Sequence, residues 1–209
     1  MNGAIEPRYA GIVLTGGTAG RIRGVDKASF IGPSGRSMLA RAVDACRNAE
    51  RVVVVGPLSQ GGLPGGRQPV LWTCEVPIGS GPARAIAAGV GMIDEPGVEW
   101  ALVLAGDMPF VDEVVPFLLA SAAQAPECVD GIVATVGGRR QWLCSVYRLP
   151  PLRVACGRLP RLGGGETVKT LTYEMILVDM PVPASSVQDI DTPADLVAAG
   201  YRMPRARHG

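Results

Sequence analysis

A glycine-rich segment directly after an apolar run is the part of this sequence best suited to chemistry. Residues 10–14 form a short uncharged run typical of a buried strand, and residues 15–21, rich in glycine and threonine, follow at once. A strand that leads into such a loop presents backbone N–H groups to phosphate oxygens without Cβ atoms in the way. The cations Arg21, Arg23 and Lys27 follow closely, which favours a polyanionic ligand over an ordinary tight turn.

The spacing of this loop differs from two common phosphate-binding motifs. A Walker A loop carries lysine directly after its last glycine, whereas Val25 and Asp26 separate Gly24 from Lys27. The chain also lacks a Gly-x-Gly-x-x-Gly dinucleotide fingerprint. By its residues alone, Lys27 can therefore be a phosphate ligand or a solvated loop residue.

Asp107 is the first candidate for a metal ligand. It follows the apolar run 100–105, which predicts a buried strand, so we expect it at the carboxyl edge of a sheet beside Gly16 and Gly17. Magnesium binds few protein carboxylates and completes its coordination with water and substrate phosphates, so one strong ligand suffices. The alternative for Asp107 is a turn or helix-capping residue. Asp191 is the first candidate for a second ligand and Asp189 the next, with capping of the last helix as the alternative for both.

Composition argues against several classes of protein. Twenty Lys and Arg against 19 Asp and Glu leave a net charge of +1, which predicts neither a nucleic-acid partner nor an anionic membrane surface. The one histidine, His208, lies in a basic terminal run, which argues against histidine-dependent triads and zinc sites. Five cysteines include no Cys-x-x-Cys pair. With no signal-peptide pattern and no long apolar run, we expect a cytoplasmic protein.

Strand-like and helix-like patterns alternate along the chain. This alternation predicts an α/β fold with a mostly parallel central sheet and helices on both faces, a three-layer Rossmann-like arrangement. We expect a single domain over residues 1–209, with flexible ends at 1–9 and 201–209. Helices are predicted after the caps Ser37, Asp112 and Thr192 or Asp191, and from Pro82, with a short one at 167–172. The predicted strands are 10–14, 51–55, 70–72, 100–105, 131–136, 143–147 and 175–178.

The loop and three later stretches together resemble a known family. Leu14-x-Gly16-Gly17-x-x-x-Arg21-x-x-Gly24-x-Asp26-Lys27-Ala28 resembles the signature of nucleotidyltransferases of the molybdenum cofactor guanylyltransferase type. The resemblance covers roughly residues 10–200. The further stretches, in the order that the family has them, are Gly79-Ser80-Gly81-Pro82, Leu104-Ala105-Gly106-Asp107-Met108-Pro109 and Asp189-Ile190-Asp191-Thr192-Pro193-Ala194-Asp195-Leu196.

The resemblance implies a nucleotidyltransferase that moves GMP from GTP to molybdenum-bearing molybdopterin, uses Mg²⁺ and releases pyrophosphate. Its partners would be these small molecules and, among proteins, those of molybdenum cofactor biosynthesis or the acceptors of that cofactor. The resemblance also implies site residues: Leu14, Gly16 and Gly17 around the nucleotide, Arg21 and Lys27 on its phosphates, and Asp107 on the metal. Thr15, Gly81 and Glu75, which stands where the family usually has an aspartate, are further nucleotide-binding candidates, and Asp191 is the further metal-ligand candidate.

Two alternatives stay open at this point. The first is a cytidylyltransferase for the same cofactor, or a relative that acts on another phosphorylated acceptor. The second is a nucleotide-binding regulatory protein without turnover, because Arg23, Val55 and Val76 depart from the family pattern. Lys169 and the basic segment 139–142 are candidates for the acceptor pocket, with a solvated lysine and an ordinary turn as alternatives.

Overall fold

The computed structural model describes residues 7–16, 21–22, 25–57, 70–160, 164–187, 190 and 192–204. Predicted features at Gly17, Arg23, Gly24, Asp189, Asp191 and His208 lie outside these residues. The strands are β1 (Tyr9–Leu14), β2 (Arg21–Ile22), β3 (Val25–Asp26), β4 (Arg51–Val55), β5 (Val70–Thr73), β6 (Trp100–Ala105), β7 (Gly131–Val136), β8 (Arg139–Arg148) and β9 (Leu177–Pro181). The helices are α1 (Met38–Ala45), α2 (Pro82–Val90), α3 (Val115–Ala123), α4 (Leu149–Gly157), α5 (Val168–Leu171) and α6 (Pro193–Ala198).

Seven of these strands form one sheet in the order β5-β4-β1-β6-β8-β7-β9. Strands β4 and β6 run parallel to β1, β5 runs parallel to β4, and β9 runs parallel to β7. Strand β8 is antiparallel to its neighbours, β6 and β7. This arrangement confirms the predicted α/β fold with a mostly parallel sheet.

Helices cover both faces of the sheet. On one face, Leu39 of α1 and Leu118 of α3 join a single buried cluster. On the other face, Ile86 of α2, Leu152 of α4 and Val168 of α5 join a second cluster. Every residue of β1 is buried, as the uninterrupted apolar run predicts for a strand covered on both faces.

Local capping chemistry accounts for the start of two helices. Ser37 Oγ accepts from the N–H of Ala40 at 3.1 Å at the start of α1. Thr192 forms a capping box with Asp195 and starts α6. The prediction that Asp112 caps a helix is wrong, because Asp112 lies in the 3₁₀ turn Val111–Glu113 and α3 begins at Val115.

The innermost residue of each end that the sequence predicts to be flexible, 1–9 and 201–209, packs into the fold. Tyr9 is 2% exposed within β1, and Tyr201 is 4% exposed beyond α6. Tyr201 packs in a third cluster with Ile22, Phe30 and Leu196. In the described part of the chain, no helix has the length and apolar character needed to cross a bilayer.

Candidate functional site

Four strands end side by side at one edge of the sheet. The registers pair Leu14 with both Val55 and Ala105, and Val55 with Thr73. In each pair, the residue that follows one strand donates a backbone hydrogen bond to the last residue of the neighbouring strand. These bonds are Gly56 N to Thr73 O at 2.9 Å, Thr15 N to Val55 O at 2.8 Å, and Gly106 N to Leu14 O at 2.7 Å. Open α/β sheets bind ligands at this carboxyl edge.

Two glycines at this edge are required by close backbone approach. Gly56 has φ of 142°, and a Cβ there would lie 1.9 Å from the carbonyl oxygen of Thr15. Gly16 has φ of 91°, and a Cβ there would lie 2.7 Å from Cδ of Pro57. Both positions therefore need glycine to build the edge, whatever ligand binds beside Gly16.

We expect Gly56→Ala to push the Thr15 backbone out of place and to lower the free energy of unfolding. Gly35→Ala is the matched control, because Gly35 also has positive φ (78°) but a Cβ there would have no atom within 4 Å. In urea titrations Gly56→Ala should cost about 1–3 kcal/mol more than Gly35→Ala. Equal costs for the two variants would contradict the steric role of Gly56.

Lys27 is buried, with a relative exposure of 4%. It opens the 3₁₀ turn Lys27–Ser29, which Asp26 caps by accepting from the N–H of Ala28 at 3.1 Å. The alternative of a solvated loop lysine is therefore wrong. A buried ammonium requires compensating interactions, so the turn is built to hold a positive charge. Arg21 lies in β2, where its backbone pairs with Asp26 of β3.

Asp107 directly follows Gly106, whose N–H is bonded to the end of β1. Its side chain is half-buried. The structure thus brings Asp107 next to the segment Leu14, Thr15 and Gly16, as its position after an apolar strand predicts. Among the described residues, no three His, Cys, Asp or Glu side chains converge on one point.

Glu75 and Gly81 lie in the loop between β5 and α2. Glu75 Oε1 accepts from the N–H of Gly79 at 2.8 Å, so this carboxylate also stabilises its own loop. Gly81 has φ of 103° at the start of α2. The N–H of Gly165 donates to the carbonyl of Ser80 at 2.9 Å. This bond holds the segment before α5 against the start of α2.

An ion pair reinforces that contact. Arg84 of α2 donates to Glu166 at 3.1 Å and to the carbonyl of Pro160 at 2.6 Å. The hydrogen bond from Arg84 lowers the pKa of Glu166 below its usual range. The segment that leads to α5 is thereby held against the start of α2.

Two buried hydroxyls near the edge have no hydrogen-bond partner among the described residues. They are Thr15 Oγ1 and Ser80 Oγ. Buried polar atoms are nearly always paired, so two unpaired hydroxyls in the loops at this edge are a sign of a polar ligand. Thr15 is a predicted site residue. The sequence marks Ser80 only as part of the motif at residues 79–82, because no local pattern indicates that its hydroxyl is buried.

A basic cavity of about 580 Å³ lies on the half of the sheet formed by β8 and β9. Arg139, Arg140 and Lys169 line it together with Trp142 and Tyr173. The guanidinium of Arg140 lies 5.4 Å from the Trp142 ring centre, and Asp179 accepts from Arg140 at 2.6 Å.

This cavity lies toward the same edge as the loop after β1. The pairing of β6 with β8 runs as far as Leu104 with Cys144, so residues 139–143 extend toward the edge where β6 ends. Lys169 lies in α5, on the sheet face that α2 also covers. Lys169 therefore shares one cavity with Arg139, Arg140 and Trp142, which are far from it in sequence.

Cysteine chemistry is a poor candidate for this protein. All five cysteines are free thiols. Burial raises the pKa of Cys46 and of Cys144 to about 12, and that of Cys156 likewise to about 12. These three thiols carry almost no thiolate at neutral pH, so they are not nucleophiles.

Known proteins share this sequence pattern and fold. The family model described as "MobA-like NTP transferase domain" matches residues 11–172, more than three quarters of the chain. A probable molybdenum cofactor guanylyltransferase of Mycobacterium tuberculosis H37Rv is 33% identical over 140 residues, which cover 66% of this chain and 67% of the relative.

Solved structures agree on the fold. Molybdopterin-guanine dinucleotide biosynthesis protein A of Archaeoglobus fulgidus superposes with a TM-score of 0.66 at 19% identity, over 92% of this chain and 96% of that one. The 2-C-methyl-D-erythritol 4-phosphate cytidylyltransferase of Francisella tularensis has a TM-score of 0.67 at 13% identity, over 92% and 98% of the two chains. The glycine-rich edge, the fold and the family match lead to one conclusion: this chain is a nucleotidyltransferase that belongs to the MobA-like NTP transferase family.

Proposed function

We propose that the protein transfers GMP from GTP to molybdenum-bearing molybdopterin, with Mg²⁺ as cofactor and pyrophosphate as second product. One observation carries the proposal: the Gly106 N–H to Leu14 O bond of 2.7 Å joins the nucleotide loop to the segment of Asp107. In a protein of this family, that bond sets a carboxylate beside a loop suited to a triphosphate. The 33% identical relative supports guanine and molybdopterin as the substrates.

The proposed roles follow from position. Leu14, Thr15 and Gly16 would line the nucleotide, with Gly17 continuing the loop. Across the edge, Glu75 and Gly81 would complete the nucleotide pocket. Arg21 and the buried Lys27 would neutralise the triphosphate, because phosphoryl transfer depends mainly on positioned positive charge.

The donor set fits magnesium. Mg²⁺ binds hard oxygen ligands, usually one or two carboxylates together with water and substrate phosphates, and Asp107 offers such a carboxylate at the sheet edge. Asp191 is the proposed second ligand and lies outside the described residues. When bound, the ion would supply charge neutralisation of the phosphates.

In the proposed reaction, a phosphate oxygen of the acceptor attacks the α-phosphorus of GTP. The bond from that phosphorus to the bridging oxygen of the β-phosphate breaks, and pyrophosphate leaves with the electron pair. The protein's part is to align the two substrates and to hold cations along the triphosphate.

The basic cavity is the proposed binding site for the phosphorylated acceptor. It lies on the β8 side of the sheet edge at which β1 and β6 end. Among the described residues that line it, the cations Arg139, Arg140 and Lys169 accompany one carboxylate, Asp179. Trp142 adds an aromatic surface for a ring system. We therefore propose this cavity for molybdopterin.

The test of the nucleotide is a thermal-shift series with the four nucleoside triphosphates, with and without Mg²⁺. A ligand that binds only the folded protein raises its stability with the logarithm of concentration over Kd, so the preferred nucleotide should give the largest shift. We expect GTP to lead and GMP transfer to require both Mg²⁺ and the acceptor.

Two results would contradict the proposal. Preference for CTP would support a cytidylyltransferase, the activity in the name of the Francisella structural neighbour. GTP binding without pyrophosphate release in the presence of acceptor would support a regulatory nucleotide-binding protein.

We expect Lys169→Ala to raise the acceptor KM while leaving the Kd for GTP unchanged. Loss of one charge-assisted hydrogen bond should raise KM about ten-fold or more. Arg47→Ala is the control, because it removes the same charge from an exposed position just beyond α1. An equal change in both variants, or a change in GTP affinity for Lys169→Ala, would argue against the assignment of the cavity.

A further inference from the structure

We propose that Tyr201 is a positioning residue that holds the segments of Asp107 and Lys27 in one fixed arrangement. The inference rests on the proposed function, because it gives a role to the two residues assigned there to metal and triphosphate. Tyr201 and its neighbour Arg202, which we call the C-terminal clasp, contact both segments. The clasp comprises the first two residues of the C-terminal segment 201–209, which the sequence pattern predicts to be flexible.

The clasp first fixes the loop that carries Asp107. The hydroxyl of Tyr201 donates to the carbonyl of Pro109 at 2.9 Å, and this bond is buried. Pro109 lies two residues after Asp107, while Gly106 just before it is bonded to Leu14. Asp107 is therefore anchored on both sides, once by the sheet and once by the clasp.

A partly buried ion pair orients the Tyr201 hydroxyl. Arg41 donates to both carboxylate oxygens of Asp112, at 2.6 and 3.1 Å, and to the hydroxyl of Tyr201 at 3.3 Å. The Arg41 guanidinium also lies 5.2 Å from the ring centre of Phe110. Since the hydroxyl accepts from Arg41, its proton is directed to the carbonyl of Pro109.

The clasp also fixes the segment that follows Lys27. Arg202 and Ile31 exchange two backbone hydrogen bonds, of 2.8 and 2.9 Å, and Phe30 N donates to Lys27 O at 3.0 Å. A Cβ on Gly32 would lie 2.9 Å from the Tyr201 ring, so the ring is packed directly on this segment.

The distance between Lys27 and Asp107 therefore depends on residues that would touch neither substrate. A metal ligand and a cation that act on one triphosphate must be held to a fraction of an ångström, and supporting residues beyond the ligands commonly provide this. Tyr201→Phe removes only the hydroxyl and keeps the ring in its cluster, so it tests positioning without emptying the core.

The test measures GTP affinity by calorimetry with and without Mg²⁺, together with kcat and KM. For Tyr201→Phe we expect the metal-free affinity for GTP and the KM for the acceptor to be unchanged. The factor by which Mg²⁺ tightens GTP binding should fall about ten-fold. The kcat should also fall about ten-fold, as is typical when a residue that supports a metal ligand is lost. In an Asp107→Asn background, Tyr201→Phe should have no further effect, because it acts through Asp107.

Tyr147→Phe is the matched control. Its hydroxyl is also directed to a backbone carbonyl, that of Trp142, and its ring is fully buried. It pairs with Ala101 in the amino-terminal half of β6, away from Asp107 and Lys27. Its partner Trp142 belongs to the proposed acceptor cavity, so this control is compared in GTP binding, which does not involve the acceptor. We expect a similar small change in Tm for both variants but no loss of magnesium-dependent GTP binding in Tyr147→Phe.

Three outcomes would overturn the inference: wild-type magnesium dependence in Tyr201→Phe, an equal loss in Tyr147→Phe, or additive effects with Asp107→Asn. Failure of the proposed function has a different signature. In that case the wild type would not transfer GMP. The comparison of Mg²⁺-dependent triphosphate binding between wild type and Tyr201→Phe, made with the triphosphate that the wild type binds, would still test the role of Tyr201.

Discussion

Asp107→Asn should reduce the rate of the proposed GMP transfer by about a hundred-fold or more, because the proposed metal ligand, which would stabilise the charged transition state, is lost. The fold should survive, since Asp107 is half-buried at the sheet edge and asparagine keeps its shape and part of its hydrogen bonding. Steady-state kinetics over a range of Mg²⁺ concentrations measures the effect, and a thermal melt checks the fold.

Asp94→Asn is the control for charge. The Asp94 side chain is 85% exposed in the loop before β6, at the opposite end of that strand from Asp107. Its rate should match the wild type. Near-normal activity in Asp107→Asn would remove the metal role from Asp107 and direct attention to Asp191.

Lys27→Ala should lower the single-turnover rate about a hundred-fold or more while weakening GTP binding much less. The physical reason is that negative charge grows on the departing pyrophosphate, so an ammonium beside it gains strength as the reaction proceeds. Burial of Lys27, at 4% exposure, shields it from water and increases this effect. Paired measurements of GTP Kd and pyrophosphate release separate affinity from rate.

Lys27→Met is the control variant that separates loss of charge from loss of packing. Methionine retains the apolar stem in the buried turn, so it should fold like the wild type and show the same loss of rate as alanine. If both variants kept their single-turnover rate, Lys27 would have a structural role only. Equal losses in rate and affinity would instead indicate binding without transition-state stabilisation.

The strands can be predicted because their signal is local. Uninterrupted apolar runs at residues 10–14 and 100–105 match β1 and β6, since a strand buried on both faces needs apolar residues at every position. Helix starts are equally local where a side chain caps its own backbone, as Ser37 and Thr192 do. The place of Asp107 after a strand follows from the same logic.

Other features depend on contacts between distant parts of the chain. The sequence pattern predicts that Asp112 caps a helix, but its carboxylate binds Arg41, 71 residues earlier. A carboxylate beside a turn can accept a hydrogen bond from a backbone N–H at a helix start or from a distant guanidinium. Only the packing of the whole chain decides which of these two partners it binds. Likewise, nothing local in the sequence indicates that Lys27 is buried.

By itself, the sequence determined the seven strands of the main sheet, most of the helices, the caps Ser37 and Thr192, and the family, because local backbone preferences and patterns of burial are encoded in short stretches. It did not indicate α4, whose first residues include Pro150 and Pro151. Tertiary structure alone decided which loops meet. It joined Tyr201 to Pro109 across 92 residues, and it brought Arg139, Arg140, Trp142 and Lys169 into one cavity. Such contacts arise from the packing of whole elements, so no local pattern of residues can specify them.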